Sequence, residues 1–540
     1  MKTGLFLSAA LLLAGGAGAA APVPFHHGVN LSTWFQPQKG GGLTVSRFGE
    51  QDFRNLKALG VDGVRIPINF EALTGPAPDY RVDPRLFPFL DRALDWAAAQ
   101  DIAVVIDNHS DPTDPRIKTD LGRFLEAVWT QLAGHYKDRP VNVLFEVQNE
   151  PHDLGQDWAP LQQRAITAIR AVDQTHTVVV GGDHWNSIQG MKELPRYADQ
   201  NLVYTFHFYD PFVFTHQGAN WTDLKDLSGV AFPPVGQAPN VQGSGKSAWV
   251  PKAVQDYYAS DAVKVLADSL DQAAAFGRER GVPVWCGELG VYNLRADPVQ
   301  RVNWYRTVRG LLEDRKIPWT SWDYKNSFGL FQKDSDEVFD QDLNLPLVEA
   351  LGFNAVPQVP RGPVKETAGF VLYDDSFGSG SLEGGYNHGG VVDYLDPNNP
   401  HGGQFSIKMQ GFDRYDLVSW NFAPRKDLAA LAPAASLSFW ARASAKFAVQ
   451  LRFVDGAVPG GLPWRNAATL DSTMVPPDGQ WHQVTLPLSA FQVTGAWDGT
   501  WHPAAGPFAW NRVEHFEIVA ELSDLKGITL GFDDIQVVAR

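Results

Sequence analysis

The chain is poor in the residues that would staple it covalently or carry it through a membrane. A single cysteine, Cys286, in 540 residues excludes an intramolecular disulfide. Stability must come from burial, and Cys286 reads as a small buried hydrophobe. Basic residues are in deficit: 45 Lys and Arg against 61 Asp and Glu give a formal charge of -16. That balance repels polyphosphates and anionic lipid, which argues against nucleic-acid and membrane partners. Long apolar runs are missing beyond the first twenty residues. There, "MKTGLFLSAALLLAGGAGAA" sets a Lys before an apolar run from Leu5 to Leu13 and small residues before Ala21. This is the layout of a secretory signal peptide and is too short to span a bilayer. The expectation is a secreted or periplasmic, monomeric protein that loses residues 1–20.

What is abundant is aromatic: 18 Trp, 14 Tyr and 32 Phe, rings that suit both cores and surfaces that stack on sugars. From Phe25 to about residue 350, short β-branched runs alternate with helical periodicity, the pattern of βα units and a parallel sheet. Eight runs stand out: "FHHGVNLS", "GVRIPI", "IAVVIDNH", "VNVLFEVQ", "TVVVGG", "LVYTFHFY", "VPVWCGE" and "WTSWDY". Eight βα units close as a barrel. An open doubly wound sheet would carry a Gly-rich phosphate turn after its first strand, and "GGG" at 40–42 lacks that spacing. The interval from His207 to Glu288, 81 residues, is far longer than the others. Its surplus, roughly residues 210–260, is a Gly- and Pro-rich insertion expected to wall a cleft with Trp221 and Trp249.

After "LVEALGF" a Pro-studded stretch breaks the periodicity, and beyond it come short alternating runs such as "SLSFWARA" and "FAVQLRFV", the signature of an all-β sandwich. The expected organisation is a (β/α)8 TIM barrel over 21–352, a linker over 353–370 and a smaller jelly-roll sandwich over 371–540.

In a barrel, polar residues at the C-terminal ends of strands reach the active-site mouth. That rule selects Glu150 after "VNVLFEVQN" and Glu288 after "VPVWCG". A carboxylate taken singly is most often a surface or ion-paired group. These two come from the fourth and seventh strands and converge with Arg65, His109, Asn149, His207, Tyr209 and Trp322 at other strand ends. Two facing carboxylates suit glycosidic cleavage, one protonating the leaving oxygen while the other attacks or activates water. Arg65 is a permanent cation able to orient a carboxylate. Tyr209 lies two residues after His207, on the same side of a strand. Asn149 can donate to a sugar hydroxyl, His109 can bond one or brace Arg65, and Trp322 offers a stacking face. "HH" at 26–27 lacks metal-ligand spacing, no cofactor is called for, and no GxSxG elbow suggests a serine hydrolase.

The ordered set "VRIP", "DNH", "NEP", "HFY", "GE" and "SW" over residues 25–350 resembles glycoside hydrolase family 5. The resemblance implies a retaining enzyme with Glu150 as acid/base and Glu288 as nucleophile, and it maps the six other residues onto the family's pocket. Many members carry paired histidines where this chain has Asn108-His109. An endo-β-1,4-glucanase is the expected activity, with β-mannan, xyloglucan, mixed-linkage and β-1,3-glucan open as substrates. A barrel that binds glycan without cleaving it is the alternative of another class. The C-terminal part resembles carbohydrate-binding modules, family 11 and similar jelly rolls, through "YDDSF", "WHQVTLPLSAF" and "GFDDIQVV". Tyr386, Tyr394, Trp464, Trp497 and Trp501 are its candidate stacking residues. Asp374 or Asp375 with Asp533 or Asp534 is a candidate structural Ca²⁺ site.

Overall fold

A computed structural model describes residues 22–37, 43, 45–243, 245–378, 381–456 and 461–539, without the side chains of 381–387. The expected leader lies outside the described residues. No helix among them is long and apolar enough to cross a membrane.

Eight parallel strands close a barrel in chain order: β1 (His27–Asn30), β2 (Gly63–Ile68), β3 (Ala103–Asn108), β4 (Val143–Glu146), β5 (Val178–Gly181), β6 (Leu202–Phe208), β7 (Val284–Leu289) and β8 (Trp319–Ser321). A helix follows each: α1 (Glu50–Leu59), α2 (Leu86–Ala99), α3 (Leu121–Tyr136), α4 (Trp158–Arg170), α5 (Ile188–Glu193), α6 (Ala262–Arg280), α7 (Pro298–Asp314) and α8 (Leu345–Ala350). The strands are buried on both faces, as their β-branched runs require. Alternation sorts their side chains. Val104, Ile106 and Phe145 join the layer under the helices, whereas Val105, Leu144, Val179, Val203 and Trp285 plug the barrel's interior below the C-terminal ends of the strands. Higher up the same inward rows turn polar, to Arg65, Asp107, Glu146 and His207, all buried.

Beyond the barrel, a seven-stranded and an eight-stranded sheet enclose a second core that includes Leu437, Phe439, Val449, Leu451 and Phe516. Every expected run of this region forms a strand. Arg452 is buried on the opposite side from that core, bonded to Gln450 and Glu521.

The intervening stretch is tied down. Gln358 bonds the backbone of Leu343 and Phe339, and Arg361 pairs with Asp342. The sandwich itself sits on the barrel. Its Leu395 and Phe405 belong to the barrel's core, Phe405 stacks on Phe89 of α2 at 5.7 Å, and Arg85 meets Asp393 at 3.2 Å. A cavity of about 860 Å³ remains between the two.

Candidate active site

Arg65, from the middle of β2, is wholly buried, and each of its five N–H groups has a partner. Nε and Nη2 grip both oxygens of Glu146 at 2.6 and 3.0 Å. Nη1 donates to Asn30 Oδ1 at 3.0 Å and to Glu288 Oε1 at 2.7 Å, and Nη2 also reaches Asn149 Oδ1 at 2.8 Å. Asp107 Oδ2 lies 3.0 Å from Nη2. Three carboxylates thus share one guanidinium in a dry setting. Burial pushes Asp107 up to about 7 against the pull of Arg65, and it also raises Glu146.

Glu288 should not face this site by simple alternation. It has the parity of Cys286, which packs outward among the helices. The pairing of β6 with β7 slips between Phe206 and His207: Phe206 opposes Cys286, but His207 opposes Glu288. Gly287 is the extra residue of this bulge, and the bulge turns Glu288 inward. Only glycine fits there, since a Cβ would come within 2.7 Å of Thr205 Oγ1. Once inside, Glu288 accepts from Arg65 through Oε1 and from the Tyr209 hydroxyl through Oε2 at 2.7 Å.

β4 ends at Glu146, so Glu150 lies four residues beyond the strand rather than at its tip. Its φ of 41° is in the left-handed region, a conformation costly for a residue with a Cβ. His207 Nδ1 sits 2.7 Å from Glu150 Oε1 and 3.5 Å from Glu288 Oε2. One oxygen from each glutamate and a His207 nitrogen all lie within 4.8 Å of one another. Burial raises the Glu150 carboxyl above the usual range, although His109, Arg65 and His152 oppose the shift. Burial also lowers His207 and His109 to about 4 each, so both rings are neutral at mild pH. The same trio is the one group of three potential metal ligands among the described residues. A cation there would compete with Arg65 and Tyr209 for Glu288.

All eight expected site residues therefore converge, with two adjustments of position. His109 braces Arg65 only at second hand, through Asp107 at 2.7 Å, and its ring stacks on Trp322 at 5.5 Å. Asn149 spends its oxygen on Arg65, which leaves its amide hydrogens for a ligand. The cavity above is about 360 Å³ and is lined by Glu150, Glu288, Tyr209, Trp322, Trp221 and His216, among others. Trp249, bonded to Asp223, is not part of its lining.

Residues 24–328 match the family described as "Cellulase (glycosyl hydrolase family 5)". The chain belongs to that family. Within family 5, it is 29% identical over 332 residues to Endoglucanase 3 of Fibrobacter succinogenes, covering 56% of this chain and 50% of that one. The chain thus spans half the length of this relative. Endoglucanase C of Acetivibrio thermocellus is 28% identical over 350 residues, covering 60% of this chain and 98% of the relative. Among solved structures, Thermotoga maritima Cel5A in complex with mannotriose is similar at 26% identity and a TM-score of 0.50, covering 61% and 97% of the two chains.

The family 5 pocket also contains residues that strand-end reasoning passes over. Asp107 is the penultimate residue of β3 and Glu146 the last of β4, both short of the polar residues that follow them, and a carboxylate on the inward row of an apolar strand such as "VLFEV" is a signal that was available. His216 comes from the insertion, with burial lowering it to about 3. Asp323, held by Ser32, is pushed up to about 8 by burial.

In the sandwich, Tyr394 packs against the core and Trp464 is half-buried, whereas Trp497 and Trp501 are exposed. The side chain of Tyr386 lies outside the described residues. Asp375 accepts the amides of Gln404 and Phe405, Asp533 those of His401 and Gly402, and Asp534 pairs with the His401 ring. These carboxylates clamp the 401–405 loop onto the sheet.

Proposed function

We propose that the chain is a secreted, retaining endo-β-1,4-glucanase. The observation that carries this reading is the approach of Glu150 and Glu288 oxygens to within 4.8 Å. A separation of about 5 Å suits attack by one carboxylate on the anomeric carbon, whereas inverting enzymes leave about 6.5–9.5 Å for a water. Glu288 meets two donors, Arg65 and Tyr209, the company that an ionised nucleophile needs. Glu150 is the group that burial keeps protonated to higher pH, as a general acid requires.

In the first step Glu150 gives its proton to the glycosidic oxygen while Glu288 attacks C1, so the C1–O bond breaks as a C1–Oε bond forms. In the second step Glu150, now a base, takes a proton from water, whose oxygen displaces Glu288 from C1. Asn149, whose oxygen is taken by Arg65, has its amide to donate to the 2-hydroxyl during both steps.

β-Mannan is the second reading, because Thermotoga maritima Cel5A, to which the chain is similar, has been solved in complex with both mannotriose and cellobiose. Reducing-end release from carboxymethyl cellulose, lichenan, mannan, xyloglucan and laminarin separates these substrates. NMR of the first-formed anomer should show retention. An inverted product would refute the mechanism, and binding of every polymer without cleavage would replace the enzyme by a glycan-binding protein.

A further inference from the structure

His207 touches both glutamates of the pocket, and its two ring nitrogens have separate neighbours. Nδ1 lies 2.7 Å from Glu150 Oε1 and 3.5 Å from Glu288 Oε2. On the far side of the ring, Nε2 meets the amide nitrogen of Asn186 at 3.4 Å. Asn186 is wholly buried. It ends the turn between β5 and α5, in which His184, Trp185 and Asn186 are all left-handed, with φ of 61°, 56° and 52°. Such a run is costly for residues with a Cβ and persists only where its surroundings hold it. Here the holders belong to the loop that carries Glu150. The Trp185 N–H donates to the Pro151 carbonyl at 3.0 Å, the Trp185 indole stacks on His152 at 5.0 Å, and Asp183 accepts the Gly155 N–H at 2.6 Å. The Asn186 side chain fills the space over Gly181, where a Cβ would come within 2.2 Å of its Oδ1. The last residue of β5 must therefore be glycine for the amide to reach His207.

Burial keeps His207 neutral at mild pH, so one of its nitrogens carries a proton and the other a lone pair. The neighbours decide which. A lone pair at Nδ1 would be aimed between two carboxyl groups, one of them Glu288, which attacks as an anion in the mechanism above. A proton at Nδ1 is attracted to both. Nε2 then holds the lone pair and requires a donor, and the nitrogen of the Asn186 amide supplies it. Turning the amide over would set Oδ1 against that lone pair.

We infer that Asn186 is a positioning residue: by donating to His207 Nε2 it fixes the imidazole tautomer with hydrogen on Nδ1, and so keeps the acid/base proton of Glu150 on Oε2. The inference rests on the retaining mechanism proposed above. With Nδ1–H donating to Oε1, a proton on Glu150 has its place on Oε2, free to pass to the glycosidic oxygen. Once it has passed, Oε1 stays anchored and Oε2 is the atom that takes a proton from water. In the other tautomer the Glu150 proton would be held in a hydrogen bond to Nδ1, and the acid would be tied up by its own support.

The test uses the full chain with its histidines labelled with nitrogen-15 for NMR. His207, recognised by the absence of its signals from His207→Gln, should show a protonated Nδ1 and an unprotonated Nε2 at mild pH. Asn186→Asp puts a carboxylate of the same shape against Nε2 and should place a proton there. That variant should lower kcat/KM for cellotetraose between about 10- and 100-fold. The loss for dinitrophenyl β-cellobioside, whose leaving group departs without a proton, should be smaller by at least about tenfold. Asn186→Gly keeps the left-handed backbone and removes the donor, and it should show the same contrast between substrates if the aspartate variant does not fold. A wild-type ring protonated at Nε2 overturns the inference, as does an equal loss on both substrates or a loss of rate in Asn186→Asp with Nε2 still unprotonated. If the protein cleaves no β-glycan yet Asn186→Asp still protonates Nε2, the glucanase reading falls and the hold of Asn186 on the His207 tautomer stands.

Discussion

Glu146 and Arg65 face each other edge to edge in a place that no solvent reaches, with Nε 2.6 Å from Oε2 and Nη2 3.0 Å from Oε1. The same guanidinium holds Glu288 at 2.7 Å. The position of Glu288, the proposed nucleophile, is therefore tied through Arg65 to a residue on the far side of the guanidinium. Glu146→Gln should cost about 3 kcal/mol of stability, since a broken buried pair leaves an uncompensated charge. It should also lower kcat more than it raises KM. Denaturant unfolding and initial-rate kinetics on one soluble glucan check both, and an unchanged kcat would show that Arg65 holds Glu288 unaided.

The roles proposed for Glu150 and Glu288 should be separable by chemical rescue. Glu150→Gln and Glu288→Gln should each reduce turnover by at least about 100-fold. Azide or formate should restore part of the activity of Glu150→Ala or Glu288→Gly. Because the roles differ, the rescued adducts should differ in anomeric configuration: β-glycosyl azide from the variant lacking the acid/base and α-glycosyl azide from the one lacking the nucleophile. Identical adducts would contradict the assignment.

Gly287 tests the bulge. A methyl group added there meets Thr205 Oγ1 at 2.7 Å and His207 Nε2 at 3.3 Å. Gly287→Ala should destabilise the barrel by about 1–3 kcal/mol and lower kcat by displacing Glu288 against His207. Gly287→Ala combined with Thr205→Ser, which keeps the hydroxyl and so the clash, should not recover. Wild-type rates in the single variant would mean that the bulge has no part in aiming Glu288.

Asp323 supplies a pH dependence of stability. Burial raises its pKa from 3.8 to about 8, so the folded protein keeps the proton where the unfolded chain has lost it. The stabilising effect of the neutral form is complete below pH 3.8 and is lost progressively as pH rises to about 8, by at most about 1.4 kcal/mol per pH unit. Asp323→Asn should flatten the melting temperature between pH 5 and 8 by about that slope. An equal slope in both proteins would place the proton elsewhere.

The contact between sandwich and barrel should be felt in unfolding. Phe405 is buried against Phe89, and Phe405→Ala should cost about 3 kcal/mol. It should also turn one calorimetric transition into two, because the shared core that couples the units is lost. A single transition at the wild-type temperature would show that the two units are coupled by other contacts.

Much of this protein is legible without coordinates. The apolar runs, spaced by amphipathic helices and ended by polar residues, dictate a parallel sheet buried on both faces, and their number, eight, with no Gly-rich phosphate turn after the first, favours closing it into a barrel. The strand-end rule then finds the polar residues at the barrel's mouth. Local pattern also gives the sandwich, since alternation such as that of Val449, Leu451 and Phe453 is a property of successive residues. What the sequence cannot express is which partner a side chain meets across strands. Alternation sends Glu288 to the helix side, and only the slipped register at Gly287, set by Thr205 and His207 of β6, brings it in. Glu150 reaches the same cavity through a left-handed backbone that tertiary packing sustains. Arg65 was expected at a strand end but lies in the middle of β2, and its cage of Glu146, Asp107, Asn30 and Asn149 comes from three other strands and the turn after β4. Nothing local records such company, because buried charges are paid for by neighbours that are distant in the chain and adjacent only in the fold.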